Sequence, residues 1–206
     1  LGSFYPFSRN HNSKDQRPQE PYVFGDQVAN ISRNVLLNRY SILPYYYTLF
    51  YLNHVQGGTL VKPLMFEFPM DASTYDIDTQ ILIGPALMVS PALNQGQTTV
   101  KAYFPSSDNA IWYDYFTGSQ IKSNGWNTLA APLEVINVHM RGGYIIPKQT
   151  PALTTTETRK LPMQLLVALD AKGNAKGSLY LDDGESLNSV TAGLFSFAQY
   201  SVSTQN

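Results

Sequence analysis

The chain has no cysteine, so neither a disulfide framework nor a thiolate metal site is open to it. Charge is also scarce. Fourteen Lys and Arg stand against 15 Asp and Glu in 206 residues, a balance that gives nucleic acid or any other polyanion no electrostatic reason to bind. The three histidines, His11, His54 and His139, are scattered, with no pair at the spacing of a metal site, and no metal or cofactor is expected. No stretch approaches the ~20 apolar residues that span a membrane, and the start lacks a basic region leading into an apolar run and a cleavage site. The first residues, Leu1-Gly2, open directly on an apolar loop without methionine, which reads as a piece of a longer chain. No internal repeat is evident.

Aromatics are plentiful, with 14 Tyr and 10 Phe, a composition suited to packed β-structure and to stacking against sugar faces. The opening twelve residues, Leu1-Gly2-Ser3-Phe4-Tyr5-Pro6-Phe7-Ser8-Arg9-Asn10-His11-Asn12, carry no amphipathic period and read as a functional loop. Phe4, Tyr5 and Phe7 can wall a pocket that Pro6 stiffens, and Arg9 and His11, two apart, point to one side of an extended segment. Polar tips on an apolar wall suit a sugar. The plainer alternative makes the aromatics core, Arg9 the holder of a structural carboxylate and His11 a hydrogen-bonded core histidine.

Beyond the loop, Pro18 and Pro21 fence a polar connection, and Asp26 is the expected N-cap of a helix. Val28, Ile31, Val35 and Ile42 recur near helical spacing, with Arg33 and Arg39 expected on the exposed side. Pro44 should break this helix, and a second, rich in Tyr45, Tyr46, Tyr47, Leu49, Phe50 and Leu52, should stop at Gly57-Gly58. Short β-type runs follow at 61–68, 81–89, 99–104, 110–116, 133–140 and 144–146, the spacing of an antiparallel sandwich. Thr117-Gly118-Ser119 and Arg141-Gly142-Gly143 mark turns. The last lacks the lysine and helix start of a phosphate loop. Residues 147–162 read as a linker, after which strands are expected at 163–169, 177–181 and 194–202.

The opening segment closely resembles one near the end of the catalytic barrel in glycoside hydrolase family 31, the α-glucosidases related to maltase and sucrase. Further matches follow in family order: Gln19-Glu20-Pro21-Tyr22, Arg39-Tyr40-Ser41-Ile42-Leu43-Pro44-Tyr45, Trp112-Tyr113-Asp114-Tyr115-Phe116-Thr117-Gly118, Met140-Arg141-Gly142-Gly143-Tyr144-Ile145 and Leu181-Asp182-Asp183-Gly184-Glu185. The resemblance implies a mixed fold, with the end of a (β/α)8 barrel at 1–58, a proximal antiparallel β-sandwich at 59–147, and a linker with the start of a distal β-domain at 148–206.

Glycoside hydrolysis needs two carboxyl groups flanking the anomeric carbon. Asp182-Asp183-Gly184-Glu185 is the only tight acidic cluster, and it lies on a turn signal where Asp and Gly serve the backbone. The family's catalytic aspartates lie on earlier barrel strands, and neither of their motifs occurs here. The resemblance therefore implies part of a retaining α-glucosidase acting on maltose-type oligosaccharides, with no catalytic residue in this chain and with the carboxylates supplied by other fragments or subunits of the same precursor. It assigns His11 to the glucose of the innermost subsite, Arg9 to orienting the loop or pairing with a carboxylate, and Phe7, with Phe4, to packing beneath the loop. Asn10 and Asn12 match the glucosidase form of the motif. It further implies a secreted enzyme, or one in the lumen of the secretory or vacuolar pathway, and Asn30-Ile31-Ser32 is an N-glycosylation sequon, though on an expected helix. The rival readings are a non-catalytic carbohydrate-binding or structural β-module and a family relative that transfers glucose instead of releasing it.

Overall fold

A computed structural model describes residues 1–122 and 124–204. A 3-10 turn at Gly2–Phe4 buries Phe4, an exposed loop follows, and a second turn at Pro21–Phe24 leads into α1 (Asp26–Ser41). Asp26 is the first residue of the helix and not its cap. Gly25 takes the cap position with φ 89°, a conformation that favours glycine, and the Asp26 carboxylate sits in the first turn, where the helix dipole favours it. The helix breaks at Ile42 (φ −100°, ψ 4°), and Pro44 belongs to the first turn of α2 (Leu43–Gln56). A proline there forfeits no intrahelical bond, while its ring would clash with the carbonyl four residues earlier if α1 continued. Gly57, at φ 79°, ends α2 with its N–H on the Asn53 carbonyl at 2.9 Å.

The expected strand at 61–68 is only β1 (Val61–Lys62), because Pro63 cannot continue the ladder and the chain turns through Leu64–Phe66. The run at 81–89 is a hairpin, β2 (Ile81–Ile83) and β3 (Leu87–Ser90), turned by Gly84 at φ 57°. Strands β4 (Thr99–Phe104), β5 (Trp112–Asp114), β6 (Gly125–Ala130), β7 (Asn137–Arg141) and β8 (Tyr144–Gln149) follow. β6 carries no β-branched run and was not expected. β8 extends through Pro147 into residues read as linker, and the rest of that linker holds a short helix, α3 (Thr155–Thr158), capped by the Thr154 hydroxyl. β9 (Met163–Ala168), β10 (Asn174–Leu181) and β11 (Ser196–Ser203) complete the order.

Among the described residues, β1, β2, β3, β7 and β5 form one antiparallel sheet in that order, β4 and β6 form a ribbon, and β11, β10, β8 and β9 form a third sheet. The third sheet is antiparallel except for the β8–β10 contact. Alternation in the first sheet divides its side chains between two cores. Ile83, Leu87, Val89, Val138 and Met140 face α2, Phe4 and Ile146, while Leu82, Met88 and Trp112 face Phe104 and Phe68. Arg141-Gly142-Gly143 turns between β7 and β8, and a Cβ on Gly142 would stand 2.6 Å from the Leu169 carbonyl oxygen.

Candidate functional site

The opening loop is pinned at its root and exposed at its tip. Phe4 is 2 % exposed in the main core, and Tyr46 Oη donates to its carbonyl at 2.6 Å. Arg39, in the last turn of α1, donates through Nη1 to the carbonyls of Ser3 and Tyr5, both at 2.6 Å, and through Nη2 to that of Pro6 at 2.8 Å. The guanidinium also lies 5.7 Å from the centre of the Tyr46 ring. Arg39, expected on the exposed face of its helix, is therefore half-buried and turned onto the loop. No pattern within α1 reveals this, because its partners lie more than thirty positions earlier in the chain.

Past Pro6 the side chains emerge. Phe7 is 75 % exposed, so it does not pack beneath the loop as expected, and only Phe4 does. Phe7 and Tyr5 border an open cleft of about 610 Å³ against Phe50, Asn53 and Thr59. Arg9 and His11, both exposed, share a side as their spacing suggested and also meet, with Arg9 Nη2 donating to His11 Nδ1. A guanidinium only donates, so this contact uses Nδ1 as the acceptor and leaves Nε2 as the ring nitrogen turned to other partners. The tip is held by its own amides. Asn10 Nδ2 donates to the Gln19 carbonyl at 3.3 Å and Asn12 Nδ2 to that of Arg17 at 2.6 Å.

Asn30 lies on α1, the helical setting expected for its sequon, and is exposed, its Oδ1 accepting from Arg33 Nη1 at 2.5 Å. Asp182 and Asp183 are engaged in the turn after β10. Asp183 Oδ1 accepts the N–H groups of Glu185 and Ser186, and hydrogen bonds from Ser186 and Glu185 lower its pKa to about 2. Among the described residues no group of three or more His, Asp or Glu is placed to hold a metal ion, and no helix is long and apolar enough to cross a membrane.

The sequence and the fold recur in known proteins. The family description "Glycosyl hydrolases family 31 TIM-barrel domain" matches residues 1–49, and "Glycosyl hydrolase family 31 C-terminal domain" matches residues 57–146. Lysosomal alpha-glucosidase of Mus musculus is 46 % identical over 221 residues, covering 98 % of this chain and 23 % of that protein. Intestinal sucrase-isomaltase of Homo sapiens is 44 % identical, over 98 % of this chain and 11 % of its own length. A crystal structure of the ER glucosidase II heterodimeric complex, made of the catalytic subunit and the binding domain of the regulatory subunit, superimposes with a TM-score of 0.91 at 35 % identity, covering 97 % of this chain and 22 % of that one. The chain thus spans less than a quarter of the length of each of these relatives.

Proposed function

Because the chain belongs to glycosyl hydrolase family 31, we propose that it is part of a retaining α-glucosidase that releases terminal α-linked glucose from maltose-type oligosaccharides. The observation that carries this is its similarity, along almost its whole length, to lysosomal alpha-glucosidase. In this reading residues 1–58 are the end of a (β/α)8 barrel, 59–147 a proximal β-sandwich and 148–206 a linker with the start of a distal β-domain, β8 joining the last two.

The chain's contribution is the substrate loop. His11 Nε2–H donates to a sugar hydroxyl, Arg9 sets the imidazole's tautomer and orientation, and the exposed Phe7 ring offers an apolar wall to a pyranose face. The nucleophilic and acid carboxylates, which stand about 5 Å apart in a retaining enzyme, come from other polypeptide of the same precursor. The protein works in the secretory or vacuolar lumen or outside the cell, and Asn30 is a candidate glycan site there.

Assaying p-nitrophenyl α-glucoside with the 206-residue chain and with the complete polypeptide tests this division of labour. The complete polypeptide should turn over and the chain alone should not. Turnover by the purified chain would overturn the division, and a complete polypeptide that binds maltose without hydrolysing it would overturn the enzyme reading.

A further inference from the structure

We propose that Arg39 is the positioning residue of the substrate loop, fixing where and at what angle the segment bearing Phe7, Arg9 and His11 leaves the scaffold. The inference rests on the reading of that loop as part of the sugar pocket. Arg39 meets three backbone carbonyls, those of Ser3, Tyr5 and Pro6, with one planar guanidinium, and the last lies immediately before the exposed segment. Hydrogen bonds from a cation to carbonyls are stronger than neutral ones, and the rigid fork of donors fixes direction as well as distance. Tyr46 holds the carbonyl of Phe4 from the same side, so the root of the loop is gripped as a unit.

Beyond Pro6, among the described residues, no hydrogen bond ties the loop to the scaffold until the chain returns to it at the Pro21–Phe24 turn. Among the described residues, the hydrogen bonds made by residues 7–19 stay within that stretch: Arg9 to His11, Asn10 to Gln19, Asn12 to Arg17, the Ser13 N–H to Asn12 Oδ1, and the Gln16 N–H to the Ser13 carbonyl. These shape the lobe without placing it, so its placement falls to its two ends, the root that Arg39 grips and the Pro21–Phe24 turn that packs on α1. Five residues from Pro6 to His11 span up to about 17 Å, so a swing of a few degrees at Pro6 moves the imidazole by more than about 1 Å. A displacement of about 1 Å in a group that contacts substrate can lower a rate by about a hundredfold. Lysine is no substitute, since a single ammonium cannot reproduce the planar fork.

The test uses the complete glucosidase polypeptide, with Arg39→Ala, Arg39→Lys, His11→Ala, the Arg39→Ala/His11→Ala double variant and, as control, Arg33→Ala. Arg33 is exposed and, among the described residues, bonds to Asn30 on its own helix. Maltose kinetics should show kcat/KM falling about ten- to a hundredfold in Arg39→Ala and less in Arg39→Lys. The double variant should fall within about threefold of the worse single one, because both changes remove the same function. Non-denaturing guanidinium should restore kcat/KM in Arg39→Ala and leave His11→Ala unchanged. Arg33→Ala should match the parent. Fully multiplicative losses, or a loss that follows the unfolded fraction and ignores guanidinium, would overturn the proposal, as would unchanged kinetics in a folded Arg39→Ala. If Arg39→Ala does not fold, the same criteria apply to Arg39→Lys. A silent His11→Ala beside a guanidinium-rescued Arg39→Ala would remove His11 from the pocket and leave the positioning role standing.

Discussion

Tyr47 in α2 and Asp182 after β10 lie 135 positions apart, and Tyr47 Oη donates to both oxygens of the Asp182 carboxylate, at 2.8 and 2.9 Å. Tyr180 Oη and the Gly184 N–H donate to the same carboxylate at 2.9 and 2.8 Å, and Arg159 donates to the Asp182 backbone carbonyl. Burial works to raise the Asp182 pKa, but the hydrogen bonds, led by those of Tyr47 and Tyr180, outweigh it and leave the carboxyl below its ordinary value. The Tyr47 hydroxyl is pushed up to about 12, by burial first and then by this bond. The acidic cluster therefore ties the helical part of the chain to the third sheet.

Tyr47→Phe should lower stability by about 1 kcal/mol, and Asp182→Ala by about 2–3 kcal/mol, because the second change strands two hydroxyls and an N–H. Urea unfolding of both variants measures the difference. An Asp182→Ala loss no larger than that of Tyr47→Phe would show that the carboxylate does not join the two parts.

Stability should fall between pH 6.5 and 4 because of His139, whose pKa is lowered from 6.5 to about 4 by burial, with Asp114 on the paired strand acting the other way. The ring is 1 % exposed, stands edge-on to Phe104 at 4.8 Å, and its Nδ1 has no partner among the described residues. The folded state holds it neutral while the unfolded chain protonates it. Its contribution is thus complete above pH 6.5 and shrinks as pH drops, by roughly 3 kcal/mol at pH 4. Asp183, lowered from 3.8 to about 2, acts only below that window. Unfolding free energies at pH 7.5, 5.5 and 4.5 should slope in the parent and flatten in His139→Met, and equal slopes would contradict the assignment.

Gly142→Ala should destabilise by roughly 1–3 kcal/mol through overpacking. The new methyl would meet the Leu169 carbonyl oxygen at 2.6 Å and the Ile111 carbonyl oxygen at 3.3 Å, both backbone atoms that cannot rotate aside. Gly2→Ala, whose added methyl would meet nothing within 4 Å, is the comparison in thermal unfolding, and equal losses for the two would rule out steric contact as the cause.

His11→Ala in the complete enzyme should reduce both kcat and kcat/KM on maltose about ten- to a hundredfold, equivalent to losing a hydrogen bond of roughly 1–3 kcal/mol that strengthens in the transition state. Because the imidazole is exposed, the melting temperature should stay near that of the parent. A loss of stability with unaltered kinetics would take His11 out of the pocket.

Much of this was legible in local pattern. Gly57 stopped α2, Arg141-Gly142-Gly143 made a turn, and the strands at 99–104 and 163–168 fell where β-type runs stood. The failures have local causes too. Pro44 excluded continuation of α1 but also started α2, Pro63 cut a strand short, and β6 was hidden because its outward face carries Trp126 and Thr128 in mixed company. At the site, the two-residue spacing of Arg9 and His11 put them on one side of the chain but did not announce their contact, and the same apolar character put Phe4 inside and left Phe7 out.

Sequence alone determined the family resemblance, the absence of cysteine chemistry, the loop's cargo of Phe7, Arg9 and His11, and the turn chemistry of the acidic cluster, because each depends only on residue type, order and spacing along the chain. Tertiary structure alone decided that Arg39 reaches back to the carbonyls of Ser3, Tyr5 and Pro6, that Tyr47 finds Asp182, and that His139 is left neutral against Phe104. Those contacts join segments 33 to 135 positions apart, and hydrophobic burial brings such segments together without any local signal in the chain to announce which polar groups will meet.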